Sequence, residues 1–362
     1  MSYDKVMKIT LKVKLMTTKE QSKSLLETME EFNKACNWIS GKSFDAGLPY
    51  QVKLHHLVYF EARSLFPNLT SQMIIRAIAK VCDSYQLNKK VCHSFKPHGA
   101  MEYDKRILSF KDLSHASMST INGRITVPIV FGHYVPLDRN RMCGQADLIY
   151  SNGKFFLNIV VDIPDGTPID PKGFLGIDMG IVNLSTDSDG ESFSGETVDR
   201  VREKIHALKK ALQKKGTKAA KRHLKKMSEK ESRFKKDTNH VISKRIVSKA
   251  KGTGRGIAIE DLKGFNGQQM VRKSQKERFG KWAFDQLRRF ITYKALLSGV
   301  PVVAVNSRNT SRTCSSCGHC DKANRKSQAH FSCLKCEYTE NADINAARNI
   351  AFRATVNEPV AV

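Results

Sequence analysis

Hydrophobic and charged residues alternate from Lys5 to Leu15 (KVMKITLKVKL), which predicts a strand, since successive strand side chains point to opposite faces. The period then lengthens. Leu25, Met29, Phe32 and Ala35 recur at helical spacing behind Thr17 or Thr18, either of which offers an N-cap. More helix is predicted over 51–64 and 71–88, the second opening at the Pro67–Ser71 break, so 20–90 reads as helical. From about 95 to 170 the runs RILSF, RITVPIVF, ADLIY and KFFLNIVVDI are separated by NG, DRN and SNG turns, the pattern of two or more hairpins. With the strand at 5–15, they predict a small β-barrel interrupted by a helical insertion. PDGTPIDPKG, rich in Pro and Gly, is the best linker in the chain.

Beyond it, FLGIDMG reads as a short apolar strand, followed by NLSTDS and ESFSG. Two helical segments come next, broken at Gly216-Thr217. Val201, Ile205, Leu208 and Leu212 form a narrow apolar stripe on the first; Leu224, Met227, Phe234, Val241 and Ile242 form one on the second. A strand (RGIAIEDL), a helix around 280–298 with Trp282 as a core residue near its start, a strand (PVVAVN), a cysteine-rich insert and a last helix from about 343 complete the chain. No internal repeat or low-complexity tract interrupts this order.

Charge changes the picture. The 362 residues carry 61 Lys+Arg against 35 Asp+Glu, a net +26, while 40% hydrophobic residues and this length suit two or three folded domains. Residues 201–251 hold 19 Lys+Arg and 4 Asp+Glu, so more than half of the surplus sits in one-seventh of the chain. A one-sided excess with few acids at i,i+4 spacing repels itself unless a polyanion lies along it. A solvated charged face is the bland reading; nucleic acid is the better partner. Expected contacts are Lys209, Lys210, Lys214, Lys215, Lys221, Arg222, Lys225 and Lys226. Phe234 is the one aromatic among them, which favours backbone contact over base stacking. No apolar run approaches the ~18 residues of a membrane span, and the first residues lack the apolar core of a secretory signal. A prokaryotic cytoplasmic, nucleoid-associated protein is expected, with no membrane partner.

Two constellations carry chemistry. Cys314-x2-Cys317 and Cys333-x2-Cys336, 15 residues apart, form two thiolate knuckles that suit one closed, structural Zn²⁺ site. Cys320 extends the first pair to CxxCxxC and raises an iron–sulfur reading, although a fourth cysteine is not where a ferredoxin pattern puts it. Cys36, Cys82, Cys92 and Cys143 are scattered, as in a reducing compartment. The second constellation is acidic. Asp178 and Glu260 each lie in an apolar strand, where a carboxylate is costly without a cation or hydrogen bonds. Asp343 opens the final helix. Singly, each has a plain alternative: a strand-end residue paired with Arg, or an N-cap. Together they form the acidic set of RNase H-like nucleases, in which two Mg²⁺ ions relieve the repulsion and clamp a scissile phosphate. Arg312, just before Cys314, could steady that phosphate, with a plain surface arginine the equal or better reading.

FLGIDMGIVNLSTDSDG, IAIEDLKGF, WAFDQLRRFITYKALLSGVPVVAVNSRNTSRTCSSCGH and FSCLKCEYTENADINAARNI resemble the TnpB family, transposon-encoded relatives of type V CRISPR effectors. LPYQ, LTSQMIIRAIAKVCDSY, YDKRILSF and GQADLIYSNGKFFL extend the resemblance more loosely upstream. It implies an α/β multidomain protein: a wedge β-barrel (1–16 and 95–170), a helical recognition lobe (17–94), an RNase H-like RuvC nuclease (171–312 and 339–362) and a zinc ribbon (313–338). It implies an RNA-guided DNA endonuclease that binds a guide RNA and double-stranded target DNA beside a short adjacent motif. Asp178, Glu260 and Asp343 would be its catalytic acids on two Mg²⁺, and Cys314, Cys317, Cys333 and Cys336 its zinc ligands. A positive channel for an A-form heteroduplex is what such a protein needs. The alternatives are a miniature type V effector, a non-cleaving nucleic-acid-binding regulator, and a guide-independent transposase or resolvase. Oligomeric state and the motif-reading residues are not legible.

Overall fold

A computed structural model describes residues 6–131, 142–180, 182–261 and 284–356. The chain divides into two compact units, Met1–Pro164 and Asp165–Val362.

In the first unit the alternating run forms β1 (Val6–Leu15), followed by α1 (Lys19–Asp45), α2 (Gln51–Leu65) and α3 (Ser71–Leu87). Thr18, rather than Thr17, caps α1. Its hydroxyl accepts from the Gln21 amide, and the Gln21 side chain accepts in return from the Thr18 amide. Thr70 caps α3. Then come β2 (Met101–Tyr103), β3 (Leu108–Phe110), β4 (His115–Thr120), β5 (Gly123–Val130), β6 (Met142–Ser151) and β7 (Lys154–Pro164). They join β1 in one seven-stranded antiparallel sheet of order β2-β6-β7-β1-β5-β4-β3. The β6–β7 hairpin turns at Asn152-Gly153, both left-handed (φ 51° and 74°), the conformation that an Asn-Gly pair tolerates best. The DRN turn lies outside the described residues. β3 comes back near β6, so the sheet almost closes. One continuous core runs through helices and sheet, with Phe32, Met73, Tyr103, Phe155 and Leu157 at its centre.

The second unit holds β8 (Phe174–Asp178), β9 (Asn183–Asp187), β10 (Ser192–Ser194), α4 (Glu196–Lys215), α5 (Lys218–Gly252), β11 (Gly256–Asp261), α6 (Phe284–Leu297), β12 (Val302–Asn306), β13 (His330–Ser332), β14 (Thr339–Asn341) and α7 (Ala342–Val356). Trp282 and the start of its expected helix lie outside the described residues. The sheet runs β10-β9-β8-β11-β12, with β8, β11 and β12 parallel and the other pairs antiparallel. Strand alternation sorts the side chains. Leu175, Ile177, Ile257 and Ile259 share a core with Ile242 and Ile246 of α5 and Leu287 and Ile291 of α6. Ala258, Val303 and Val305 face Ile350 and Ala354 of α7. Gly176 is where α7 meets β8. A Cβ there would lie 2.0 Å from the Ala347 carbonyl oxygen and 2.6 Å from the Ala351 nitrogen.

Three expectations need correction. The PDGTPIDPKG segment is not a free linker: beyond Pro164 it is bonded into the second unit. The Gly166 amide donates to Leu296 O (3.0 Å), Ile169 to Gly299 O (2.9 Å) and Lys172 to Gly254 O (2.9 Å). The apolar stripes are narrower than their spacing suggested. Ile205 and Ile242 are buried, but Leu208 is 38% and Val241 60% exposed, because α4 and α5 cover each other and the sheet along only part of their length. The basic helices also carry acidic partners, one of them among the four acids of the run and the others outside it. Glu231 pairs with Lys209 (2.6 Å) and Lys235 (3.0 Å). The acidic β9–β10 turn engages the far end of α5: Lys249 meets Asp187, Asp189 and Glu191, and Arg245 meets Glu191. The break itself is as read: Gly216 is left-handed (φ 63°) and Thr217 caps α5 through the Ala220 amide.

Candidate active site

Three separate local rules bring the acids together. The parallel register pairs Ile177 of β8 with Ile259 of β11, so the next residue on each strand, Asp178 and Glu260, stand side by side. Alternation turns both toward the face that α7 covers. Asp343 lies in the first turn of α7, one turn before Ala347, whose backbone touches Gly176. The gap of 82 residues between the strand acids is spanned by β9, β10, α4 and α5.

Among the described residues, the cluster has little positive charge beside it. Burial, and then the nearby Glu260 and Asp343 carboxylates, push the Asp178 carboxyl up to about 8, with Arg325 acting in the opposite direction. Burial also raises Glu260, opposed by a hydrogen bond from Thr310 and by the Arg353 charge. Thr310 Oγ1 donates to Glu260 Oε1 at 2.6 Å. Asp343 is 6% exposed; its Oδ2 accepts from Asn183 Nδ2 at 3.0 Å, and its Oδ1 faces an Arg325 guanidinium nitrogen at 3.5 Å. Three hard carboxylate donors have the chemistry that Mg²⁺ prefers. Asn183, Thr310 and Arg325 were not singled out from sequence. Their partners lie 160, 50 and 18 residues away, so no local pattern marks them. Arg312, expected near this site, is exposed; Arg325 is the arginine that reaches Asp343.

The cysteine insert builds a second centre. The sulfurs of Cys314, Cys317, Cys333 and Cys336 lie within 4.8 Å of one another, and Cys320 is outside that group. The Cys314–Cys336 and Cys317–Cys333 separations are 3.7 and 3.6 Å. Sulfurs bound tetrahedrally at about 2.3 Å from zinc stand about 3.8 Å apart, so the four fit a structural Zn²⁺. The knuckles repeat one design. Gly318 and Glu337, each just after the second cysteine, are left-handed (φ 74° and 59°), and their amides donate to Cys314 O and Cys333 O. Of the expected nucleic-acid contacts, Lys210, Lys214, Lys215, Lys221, Arg222, Lys225 and Lys226 are exposed, whereas Lys209 is half-buried against Glu231. Among the described residues no helix is long and apolar enough to cross a membrane.

Residues 158–266 match the family model OrfB_IS605, described as "Probable transposase", and residues 284–350 match the Cas12f1-like TNB domain. TnpB-like protein MJ0751 of Methanocaldococcus jannaschii is 30% identical over 224 residues, which cover 56% of this chain and 79% of that protein. The chain belongs to the TnpB family. Proteins with other names are also similar. "Putative RNA-guided DNA endonuclease InsQ" of Escherichia coli K12 is 32% identical over 55% of this chain and 54% of its own length. CRISPR-associated endodeoxyribonuclease Cas12f1 of Sulfoacidibacillus thermotolerans is 30% identical over 55% of this chain and 50% of its own. The chain thus spans about half the length of these two relatives. In overall fold it is similar to the protein in a cryo-EM structure of a Cas12f1–sgRNA–target DNA complex, with a TM-score of 0.63 at 14% identity, covering 96% of this chain and 99% of that one.

Proposed function

We propose that this TnpB family chain is an RNA-guided DNA endonuclease that hydrolyses target DNA at a single site made by Asp178, Glu260 and Asp343. The observation that carries the reading is the approach of these acids to one another from two parallel strands and a C-terminal helix, where the described residues bring few cations. The mixed five-stranded sheet, with its first strand between an antiparallel and a parallel neighbour, supports an RNase H-like assignment. The near-closed sheet and the helices α1–α3 fit a wedge barrel and a recognition lobe (17–94); the barrel, expected over 1–16 and 95–170, is drawn in to Pro164 because the residues after it are bonded into the second unit, which leaves the nuclease over 165–312 and 339–362 and the ribbon over 313–338.

The three carboxylates would hold two Mg²⁺. Bound there, the ions supply an activated water and stabilise the leaving oxygen. The chain's own residues prepare for this. Thr310 and Asn183 fix the orientations of Glu260 and Asp343, and Arg325 adds positive charge beside a scissile phosphate. The exposed cations of α4 and α5, Lys210 through Lys226, would neutralise phosphates without reading bases, which suits specificity delegated to guide pairing. Lys209 is better assigned to its ion pair with Glu231.

Purification with co-expressed transcripts is the test. A uniform bound RNA, and magnesium-dependent cutting of DNA matching it, are expected; cutting that ignores the RNA would overturn the guided reading. The Cas12f1 relatives favour a second reading, a miniature type V effector. A guide containing a CRISPR repeat would establish it. For the ribbon, metal analysis is expected to find about one zinc per chain, lost in Cys333→Ser together with thermal stability. Unchanged zinc in that variant would count against the four-cysteine assignment.

A further inference from the structure

We propose that α7 couples the cysteine ribbon to the acid cluster through Asn345, Asn349 and Thr310, with Thr310 acting as a positioning residue for the Glu260 carboxylate. This rests on the metal-holding role of Glu260 proposed above.

The coupling is a continuous set of hydrogen bonds. Asn349 is 6% exposed; its Nδ2 donates to Thr310 O at 2.9 Å and to Thr313 O at 2.7 Å. One turn earlier, the fully buried Asn345 donates to Thr313 O at 2.8 Å and accepts from the Ser315 amide at 2.9 Å. Thr313 and Ser315 flank Cys314. The segment from Thr310 to the first zinc knuckle is therefore fastened along the helix that also carries Asp343. At its start, the buried Thr310 hydroxyl meets Glu260 Oε1 at 2.6 Å and Ser307 O at 3.1 Å. A hydroxyl has one proton to give, and the shorter bond to the carboxylate takes it.

Part of this bond is plain structure, since a buried carboxylate needs a donor. A valine would fill the same volume and leave that oxygen unpaired. What the hydroxyl adds is orientation. It fixes one carboxylate oxygen, leaving the other for a cation, the service that partners of metal-binding groups perform. The Asn345–Asn349 pair carries that orientation to the ribbon, so that an ordered ribbon keeps Thr310 in register with Glu260.

Thr310→Val tests the inference. Two readouts apply: Mn²⁺ binding to the RNA-free full chain by electron paramagnetic resonance, and the Mg²⁺ midpoint for cleavage by the RNA-loaded protein. Both are expected to weaken roughly 10- to 100-fold, with the rate recovering as Mg²⁺ saturates. Thr310→Ser restores both. Asn349→Ser, which touches neither acid, moves the Mg²⁺ midpoint in the same direction; should it fail to fold, the two Thr310 variants decide alone. Wild-type Mn²⁺ affinity and Mg²⁺ midpoint in Thr310→Val would overturn the proposal. Asp178→Ala, measured alongside, separates the two levels. If Asp178→Ala is inactive and loses Mn²⁺ while Thr310→Val is unaffected, only the coupling falls. If Asp178→Ala still cuts, the acid-cluster reading falls and takes the coupling with it.

Discussion

Asp178→Ala is expected to lower magnesium-dependent cutting of guide-matched DNA by roughly 10³-fold or more, while RNA binding is unchanged. Asp178 stands beside Glu260 in the sheet and under the influence of Asp343, so its loss removes the carboxylate that the other two surround. The same site should trade stability for function. With no divalent ion, three acids face a shared shortage of counter-charge, and Asp178→Asn removes one of them. Its melting temperature in a chelator should exceed that of the wild type, and Mg²⁺ should stabilise the wild type more than the variant. The pH dependence has a definite sign. The Asp178 carboxyl is held at about 8 in the fold, against about 3.9 in an unfolded chain. Between those values the folded state keeps a proton that the unfolded state has released, so metal-free stability falls as pH rises through that window. Melting temperatures in chelator at about pH 5 and about pH 8 measure this; an equal slope in wild type and Asp178→Asn would refute it. Cutting at wild-type rates in Asp178→Ala would remove the acid from the proposed site.

Gly176→Val should be among the most damaging substitutions outside the acids. Its Cβ would fall 2.0 Å from Ala347 O and 2.6 Å from Ala351 N, both of them backbone atoms of α7. Neither can swing aside as a side chain would. The helix must lift from β8, at a cost above about 3 kcal/mol, or roughly 10 °C in melting temperature for a unit of this size. Because α7 carries Asp343 and fastens Thr310, cutting should fail before the fold does, and Gly176→Ala should already show this. Gly41 in α1 is the control: nothing lies within 4 Å of its added Cβ, so Gly41→Ala should be neutral or stabilising by up to about 1 kcal/mol. A Gly176→Ala protein with wild-type melting and activity would disprove the close helix–strand contact.

The sequence carried the local periods and spacings well. Alternation at 5–15, the capping residues before α1, the two CxxC pairs and the acid-bearing apolar strands are short-range patterns, and the structure holds them as elements at those positions. What it brings together over long range was not legible. Arg325 lies in a polar loop of the ribbon and has no local reason to point at Asp343. Thr310 reads as one more residue of NTSRT until β11 and β12 pair in parallel and bring it to Glu260. The charge count of 201–251 also does not say which cations are already paired. Glu231 answers Lys209 across the α4–α5 hairpin, and Asp187, Asp189 and Glu191 answer Lys249 from about 60 residues upstream. Val241 followed the helical period but faces solvent, since periodicity reports which residues could be buried and not how far the covering surface extends.

The stretch after Pro164 has a practical meaning for anyone dividing this chain. A glycine-poor alternative would not fit there: a Cβ on Gly299 would lie 1.9 Å from Thr167 O, and one on Gly166 would lie 2.4 Å from the Gly299 nitrogen. The two glycines interlock like the teeth of a seam, and Pro168 and Pro171 fix φ in the backbone that follows Gly166. A fragment trimmed to begin at Phe174 would leave that seam open along the α6–β12 turn, whereas one begun at Asp165 would bring its own stitching.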